Sequence, residues 1–169
     1  MSPPPAPGRV VLVGFMGCGK TTVGALVARQ LGWEFVDMDA ALERRLGMTV
    51  AEAFRARGEE WFRREEEALA RELAGRAPAV IAAGGGAFTV PATRAALQEG
   101  AVTVWLRCGL ETALARIPRD GSRPLAADHA TIGRLFDQRA PLYQLADRHV
   151  DASQGPPEDV ARAVVAALR

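Results

Sequence analysis

RVVLVGFMGCGKTTVGALVARQLG, residues 9–32, decides the fold. The opening run 9–14 is nearly continuous in apolar residues, as a strand covered on both faces must be. From Lys20 onward Val23, Leu26, Val27 and Leu31 fall on one helical stripe, and Gly32 is available to stop the helix. Between strand and helix lies G-x-x-x-x-G-K-T, residues 14–21, in the context that makes this pattern a phosphate-binding loop. Gly14, Gly17 and Gly19 let the backbone turn so that consecutive N–H groups face a phosphate at the positive end of a helix dipole. Lys20 is placed to reach the β- and γ-phosphates, and the Thr21 hydroxyl to ligate Mg²⁺. Lys20 is also the only lysine in a chain with twenty arginines. A planar guanidinium does not fit where the loop has room for an ammonium, so arginine is no substitute there.

Composition sets the limits around that loop. At 169 residues, 49% apolar and 24% charged, the chain is the size of one ordinary globular domain. A net charge of +1 gives no overall field for nucleic acid or an anionic membrane, so neither is expected as a partner. The two cysteines, Cys18 and Cys108, and the two histidines, His129 and His149, are widely spaced. They are read as incidental: no disulfide framework, no zinc, and a reducing cytoplasm as the location. MSPPPAPG, residues 1–8, lacks a basic region followed by an apolar run and reads as a disordered tail. Residues 9–169 then form a single domain.

Working outward, apolar runs at 9–14, 33–37, 79–84, 101–107 and 148–152 alternate with helix-like segments, the pattern of parallel strands joined by crossover helices. Thr49 and Glu52 have capping-box spacing, so a helix should start near Val50. A charged helix over 59–75 should pack through Trp61, Phe62, Leu69 and Leu73. Pro91 suits a first helical turn, and 157–168 a closing amphipathic helix. Residues 116–129, RIPRDGSRPLAADH, have no usable apolar period and read as a mobile lid, with a plain surface loop as the alternative.

A guanine-reading switch needs a lysine far from the loop, and none exists, so a small kinase using an adenine nucleotide is the favoured class. Its acceptor site belongs at the carboxyl ends of the strands. Asp37 and Asp39 follow the second strand, and Gly84, Gly85 and Gly86 follow the third. One carboxylate can hold the water shell of Mg²⁺ while another orients or deprotonates an attacking hydroxyl. Read alone, D-x-D could be a solvated strand end and GGG a bend.

GFMGCGKTTVG, FVDMD, GEEWFRREEE, AAGGGAF, SRPL and QRAPLY, in this order and spacing, resemble the shikimate kinase family from about Val10 to the last helix. The resemblance implies an α/β three-layer sandwich with a five-stranded parallel sheet in order 2-3-1-4-5. It implies a P-loop kinase with a substrate-binding insert at about 38–66 and a lid at about 116–128. The implied reaction moves the ATP γ-phosphate to the 3-hydroxyl of shikimate, on the way to chorismate and the aromatic amino acids. Lys20, Asp39 and Arg123 would be catalytic. ATP would be held by Gly14, Gly17, Cys18, Gly19, Lys20, Thr21, Thr22, Arg116 and Arg123, with Arg116 stacked on adenine. Asp39, Arg63, Glu66, Gly84, Gly85, Gly86 and Arg139 would hold shikimate, and Thr21 and Asp37 would share Mg²⁺. A cytoplasmic monomer is expected.

Arg63 and Arg139 suit a carboxylate because a guanidinium offers two parallel charge-assisted hydrogen bonds. Taken singly, Arg63 and Arg64 could both be surface residues, and Arg139 could cap a helix ending before Pro141. Two positions depart from the family pattern. Cys18 stands where a small residue is usual, and is expected to carry a reactive thiol of lowered pKa that MgATP protects. Gln154 and Gly155 stand where some relatives carry an adenine-stacking arginine. Gluconate and nucleoside monophosphates remain rival acceptors, and a nucleotide-binding regulator without turnover is the rival from another class.

Overall fold

Each of the five apolar runs forms a strand in the computed structural model, which describes residues 8–117 and 128–169. They are β1 (Arg9–Val13), β2 (Glu34–Asp37), β3 (Ala79–Ala82), β4 (Val102–Arg107) and β5 (Arg148–Asp151). All neighbouring pairs are parallel, in the order β2-β3-β1-β4-β5. β1 is central, with Val10 opposite Val80 on one side and Val102 on the other. Strand order changes direction around it, which places a crevice at its carboxyl end.

Alternation along β1 feeds two apolar layers. Val10 and Leu12 join Val23 and Val27 of α1 (Lys20–Leu31) and Val160 and Val164 of α8 (Pro157–Ala167). Val11 and Val13 face the opposite way, into a layer richer in aromatic and sulfur side chains: Phe15, Met38, Phe62, Phe88 and Tyr143. That layer is roofed by α2 (Met38–Leu46), α3 (Val50–Arg57), α4 (Glu59–Leu73), a short 3-10 turn (Ala87–Thr89), α5 (Pro91–Gln98), α6 (Leu110–Arg116) and α7 (His129–Tyr143). Residues 38–66 thus comprise α2, α3 and the first half of α4.

Local chemistry explains the ends. Gly32 closes α1 in the left-handed conformation at φ 69, and Pro91 opens α5. The Thr49–Glu52 capping box is complete: the Glu52 N–H donates to Thr49 Oγ1 at 3.1 Å, and the Thr49 N–H to Glu52 Oε2 at 2.9 Å. α7 runs through Pro141 to Tyr143 instead of ending before it. Asp137 and Pro141 both lie on the exposed side, where the carbonyl that loses its helical donor can be hydrated.

Arg9 does more than start a strand. It is buried, and its guanidinium donates to the carbonyls of Leu73, Ala74, Ala96 and Glu99. These carbonyls lie where α4 and α5 run out of helical donors, although that of Leu73 also accepts from the Arg76 N–H at 3.0 Å, and one cation serves both helix ends. Burial lowers its pKa, partly offset by the Glu99 charge. Of the expected tail at 1–8 only Gly8 is described, and of the expected lid at 116–128 only Arg116, Ile117 and Asp128. Arg123 lies outside the described residues.

Candidate active site

Gly14, Gly17 and Gly19 have φ of 150, 82 and 88, a region that side-chain-bearing residues rarely adopt. Space demands glycine as well at two of them, since a Cβ at Gly14 would lie 2.8 Å from the Leu106 carbonyl oxygen and one at Gly17 2.7 Å from that of Ala113. α1 has no side-chain cap, so its first N–H groups stay available to an anion. Lys20 Nζ folds over the loop, donating to the carbonyls of Gly14 at 2.7 Å and Phe15 at 3.0 Å. Thr21 Oγ1 donates to Asp37 Oδ2 at 2.9 Å, while Asp37 Oδ1 accepts from the Ala40 N–H at 3.2 Å and caps α2. A cleft of about 520 Å³ opens here, bordered by Gly17, Gly19, Lys20, Thr21, Thr22, Asp37, Asp39, Gly85 and Arg116.

Cys18 does not match its expected part. Its N–H donates to the Phe15 carbonyl at 3.2 Å and so closes a turn within the loop. Its sulfur is bonded to that of Cys108, and only 1% of the residue is exposed. A free, acidic thiol is therefore absent, and the two cysteines are a pair. Strand order is the physical reason: β1 and β4 are neighbours, so the turns that follow them meet.

A second, smaller hollow of about 50 Å³ adjoins the cleft, and Asp39, Val50 and Gly85 border both. Arg63, Glu66, Gly86 and Arg139 complete its polar wall, and Met16, Phe54 and Phe62 its apolar one. Arg63 donates to Glu66 Oε1 at 2.8 Å and lies 5.7 Å and 5.6 Å from the ring centres of Phe54 and Phe62. Arg64, one residue on, is exposed and pairs only with Glu60 in the described contacts, as a surface residue would. Glu66 is 1% exposed, and its Oε2 has no hydrogen-bond partner among the described residues. Burial raises its pKa, opposed by the charge and hydrogen bond of Arg63, and Asp39 nearby pushes it further up.

The triplet does lie in a turn, closed by the Ala87 N–H donating to the Gly84 carbonyl at 3.0 Å, but none of Gly84, Gly85 and Gly86 has positive φ, so the backbone conformation alone does not require glycine. Room for side chains does. A Cβ at Gly84 would stand 2.7 Å from Glu66 Oε2 and 2.8 Å from Asp39 Oδ1; at Gly86 it would overlap the Arg63 guanidinium. At Gly85 it would come within 3.4 Å of Arg139 Nη1. The bare backbone lets two carboxylates and two guanidinium groups converge.

Tyr143 was not singled out from sequence. Its hydroxyl donates to the Gly85 carbonyl at 2.5 Å and accepts from Arg139, tying the triplet to the buried arginine. The signal for it is the last letter of QRAPLY, one helical turn beyond Arg139. Arg116 borders the main cleft and a side pocket of about 250 Å³ that includes Gly19, Thr22, Gly155 and Pro157, and donates to the Ala152 carbonyl at 3.4 Å. Gly155, at φ 81, holds a turn that an arginine there would strain.

A central strand feeding an uncapped glycine loop, in a parallel 2-3-1-4-5 sheet with a charged hollow beside the loop, defines a P-loop kinase of small molecules. Residues 16–169 match the family model described as "Shikimate kinase". Shikimate kinase of Moorella thermoacetica is 47% identical over 166 residues, covering 96% of this chain and 95% of its own. The structure of shikimate kinase from Acinetobacter baumannii in complex with shikimate superposes with TM-score 0.90 at 37% identity, over 94% of this chain and 90% of that one. That of Aquifex aeolicus superposes with TM-score 0.85 at 32% identity, over 95% of each. The chain belongs to the shikimate kinase family.

Proposed function

We propose that this protein transfers the γ-phosphoryl group of ATP to the 3-hydroxyl of shikimate, releasing ADP and shikimate 3-phosphate, as a step toward chorismate and the aromatic amino acids. The observation that carries this reading is Asp39 standing on the border shared by phosphate cleft and charged hollow, with Arg63 and Arg139 behind it. An acceptor with one carboxylate and several hydroxyls fits that polarity. Arg63 and Arg139 take the carboxylate, Glu66 holds Arg63 in place, and Gly84, Gly85 and Gly86 let the ring lie close. Asp39 receives the acceptor hydroxyl, orients its lone pair toward phosphorus and takes its proton.

On the donor side, Gly14, Gly17, Gly19 and the start of α1 present N–H groups to the phosphates. Cys18 offers the nucleotide no free thiol. Lys20 leaves its carbonyl partners to neutralise charge building on the transferring group, and Thr22 lies on the same cleft. Arg116 stacks on adenine in the side pocket, and Arg123 adds a second positive charge over the γ-phosphate. The Thr21 hydroxyl beside the Asp37 carboxylate suits a hard cation that takes oxygen ligands and keeps its waters, which fits Mg²⁺. Bound with ATP it would screen the phosphate charges. No cluster of three or more His, Cys, Asp or Glu offers another metal site among the described residues. No described helix is long and apolar enough to cross a membrane. A cytoplasmic monomer without nucleic-acid or membrane partners completes the reading, and light scattering at the 18.0 kDa of one chain checks its oligomeric part.

A coupled ADP-release assay tests the reaction against shikimate, gluconate and nucleoside monophosphates. Shikimate should raise turnover at least a hundredfold over the idle rate, on the order expected for an acceptor-completed site. Equal rates with and without shikimate, or preference for either rival, would overturn the proposal.

A further inference from the structure

Cys18 and Cys108 are 90 residues apart in sequence, yet their Cα atoms lie 5.8 Å apart and their sulfurs are joined. The place of this bond is unusual. Cys18 sits between Gly17 and Gly19, both at positive φ, and glycines have more backbone freedom to lose on ordering than other residues. Cys108 leads into α6, which backs directly onto Gly17 and ends in Arg116. Cys18, Gly19, Thr22 and Arg116 all border the side pocket. The bond therefore joins the two walls between which the nucleotide is read to lie.

We propose that Cys18–Cys108 is a reversible thiol–disulfide exchange site whose oxidised form holds the glycine loop ready for nucleotide. The inference rests on the reading of this cleft as the nucleotide site. With the bond closed, part of the loop's ordering is done before the phosphates arrive; with it open, that ordering falls on the binding step. Closing consumes a small-molecule disulfide such as oxidised glutathione. Its two sulfurs leave as thiols, taking up both electrons and the protons released by the cysteines. Opening is the reverse, with a dithiol supplying the electrons and protons and ending as a cyclic disulfide. Attack enters at Cys108, which is 9% exposed against 1% for Cys18. Cytosolic disulfides, where they occur, are mostly transient and redox-sensing, and a pair in this position suits that use.

Coupling of this kind is reciprocal: whatever factor the bond adds to nucleotide affinity, nucleotide adds to the bond. The test uses the full chain, equilibrated with oxidised glutathione or with dithiothreitol, its thiol state read by alkylation and mass. ADP affinity is measured by calorimetry on both forms. The disulfide form should bind ADP about five- to tenfold more tightly. Saturating ADP should shift the dithiol–disulfide equilibrium toward the bond by the same factor. Cys108→Ser and Cys108→Ala should both match the dithiol form and ignore dithiothreitol, and the wild-type comparison stands if neither folds. Equal affinities, tighter binding by the dithiol form, or two alkylatable thiols after oxidised glutathione would overturn the coupling while leaving the nucleotide site intact. No ADP binding by either form would bring down both.

Discussion

The cleft proposed as the phosphate half of the site and the hollow proposed as its acceptor half share a border at Asp39, Val50 and Gly85 but are made in opposite ways. The first is one contiguous octet, 14–21, working largely through backbone N–H groups and the end of α1. The second gathers side chains from α2, α4, the turn after β3 and α7, stacked against one another through Glu66, Arg63, Arg139 and Tyr143. A backbone-made site is fixed by conformation, so it changes little when a distant side chain is altered. A site made of buried charges is fixed by partners, and every member lost leaves another unsatisfied.

Lys20→Ala should separate the halves most forcefully. It removes the cation proposed to neutralise the transferring group from within the loop, so kcat should fall about a thousandfold, by the scale of a lost transition-state donor. Shikimate KM should stay within about twofold, because none of the hollow's walls is Lys20. Steady-state kinetics decides it, and a large rise in shikimate KM would show that the two halves are not built independently.

Arg139→Lys should show the converse. Arg139 is 7% exposed, and a single ammonium cannot reproduce a guanidinium proposed to meet the acceptor carboxylate through two bonds while touching Tyr143. Losing one charge-assisted bond, worth about 1.5–3 kcal/mol, corresponds to roughly a ten- to hundredfold rise in shikimate KM, with kcat and ATP KM nearly kept. Normal shikimate saturation in this variant would remove Arg139 from the acceptor site.

The same contrast governs how much could be read in the sequence. The phosphate half was legible because its strand, glycines, lysine and helix stripe are adjacent in the chain, and the five strands fall within one or two residues of the apolar runs. Of the residues proposed for the acceptor, Asp39, Gly84, Gly85 and Gly86 stood out by their place after the strands, whereas Arg63, Glu66 and Arg139 came only through the family resemblance. Nothing in GEEWFRREEE taken alone tells Arg63, facing the hollow, from Arg64, facing water, because the two differ only by which side of α4 reaches the sheet. Burial of Glu66 in so charged a stretch was likewise invisible, as was the use of GGG to admit side chains. The cysteine pair was misread because spacing along the chain was taken as spacing in the fold. Val13 pairs with Trp105 across β1 and β4, and from that register the turns holding Cys18 and Cys108 must meet.

Tyr143→Phe should give the smallest change and the finest discrimination. The ring keeps its place in the core, and only the hydroxyl between Arg139 and Gly85 is lost. Neither of its bonds touches the acceptor, so only the looser positioning of Arg139 is felt there: shikimate KM should rise roughly two- to tenfold, equivalent to about 0.5–1.5 kcal/mol, with ADP affinity unchanged. Stability carries an independent mark of the same hydroxyl. Burial pushes the Tyr143 pKa up from 10.0 to about 12, so the unfolded chain ionises this phenol first as pH rises. The folded state accordingly loses stability from about pH 10 and has lost that contribution by about pH 12. Denaturant unfolding of wild type and variant over this window should show the decline shallower in Tyr143→Phe. If KM and pH dependence are both unchanged, the hydroxyl does not hold the acceptor half together; if ADP affinity changes as well, the halves are coupled through Gly85.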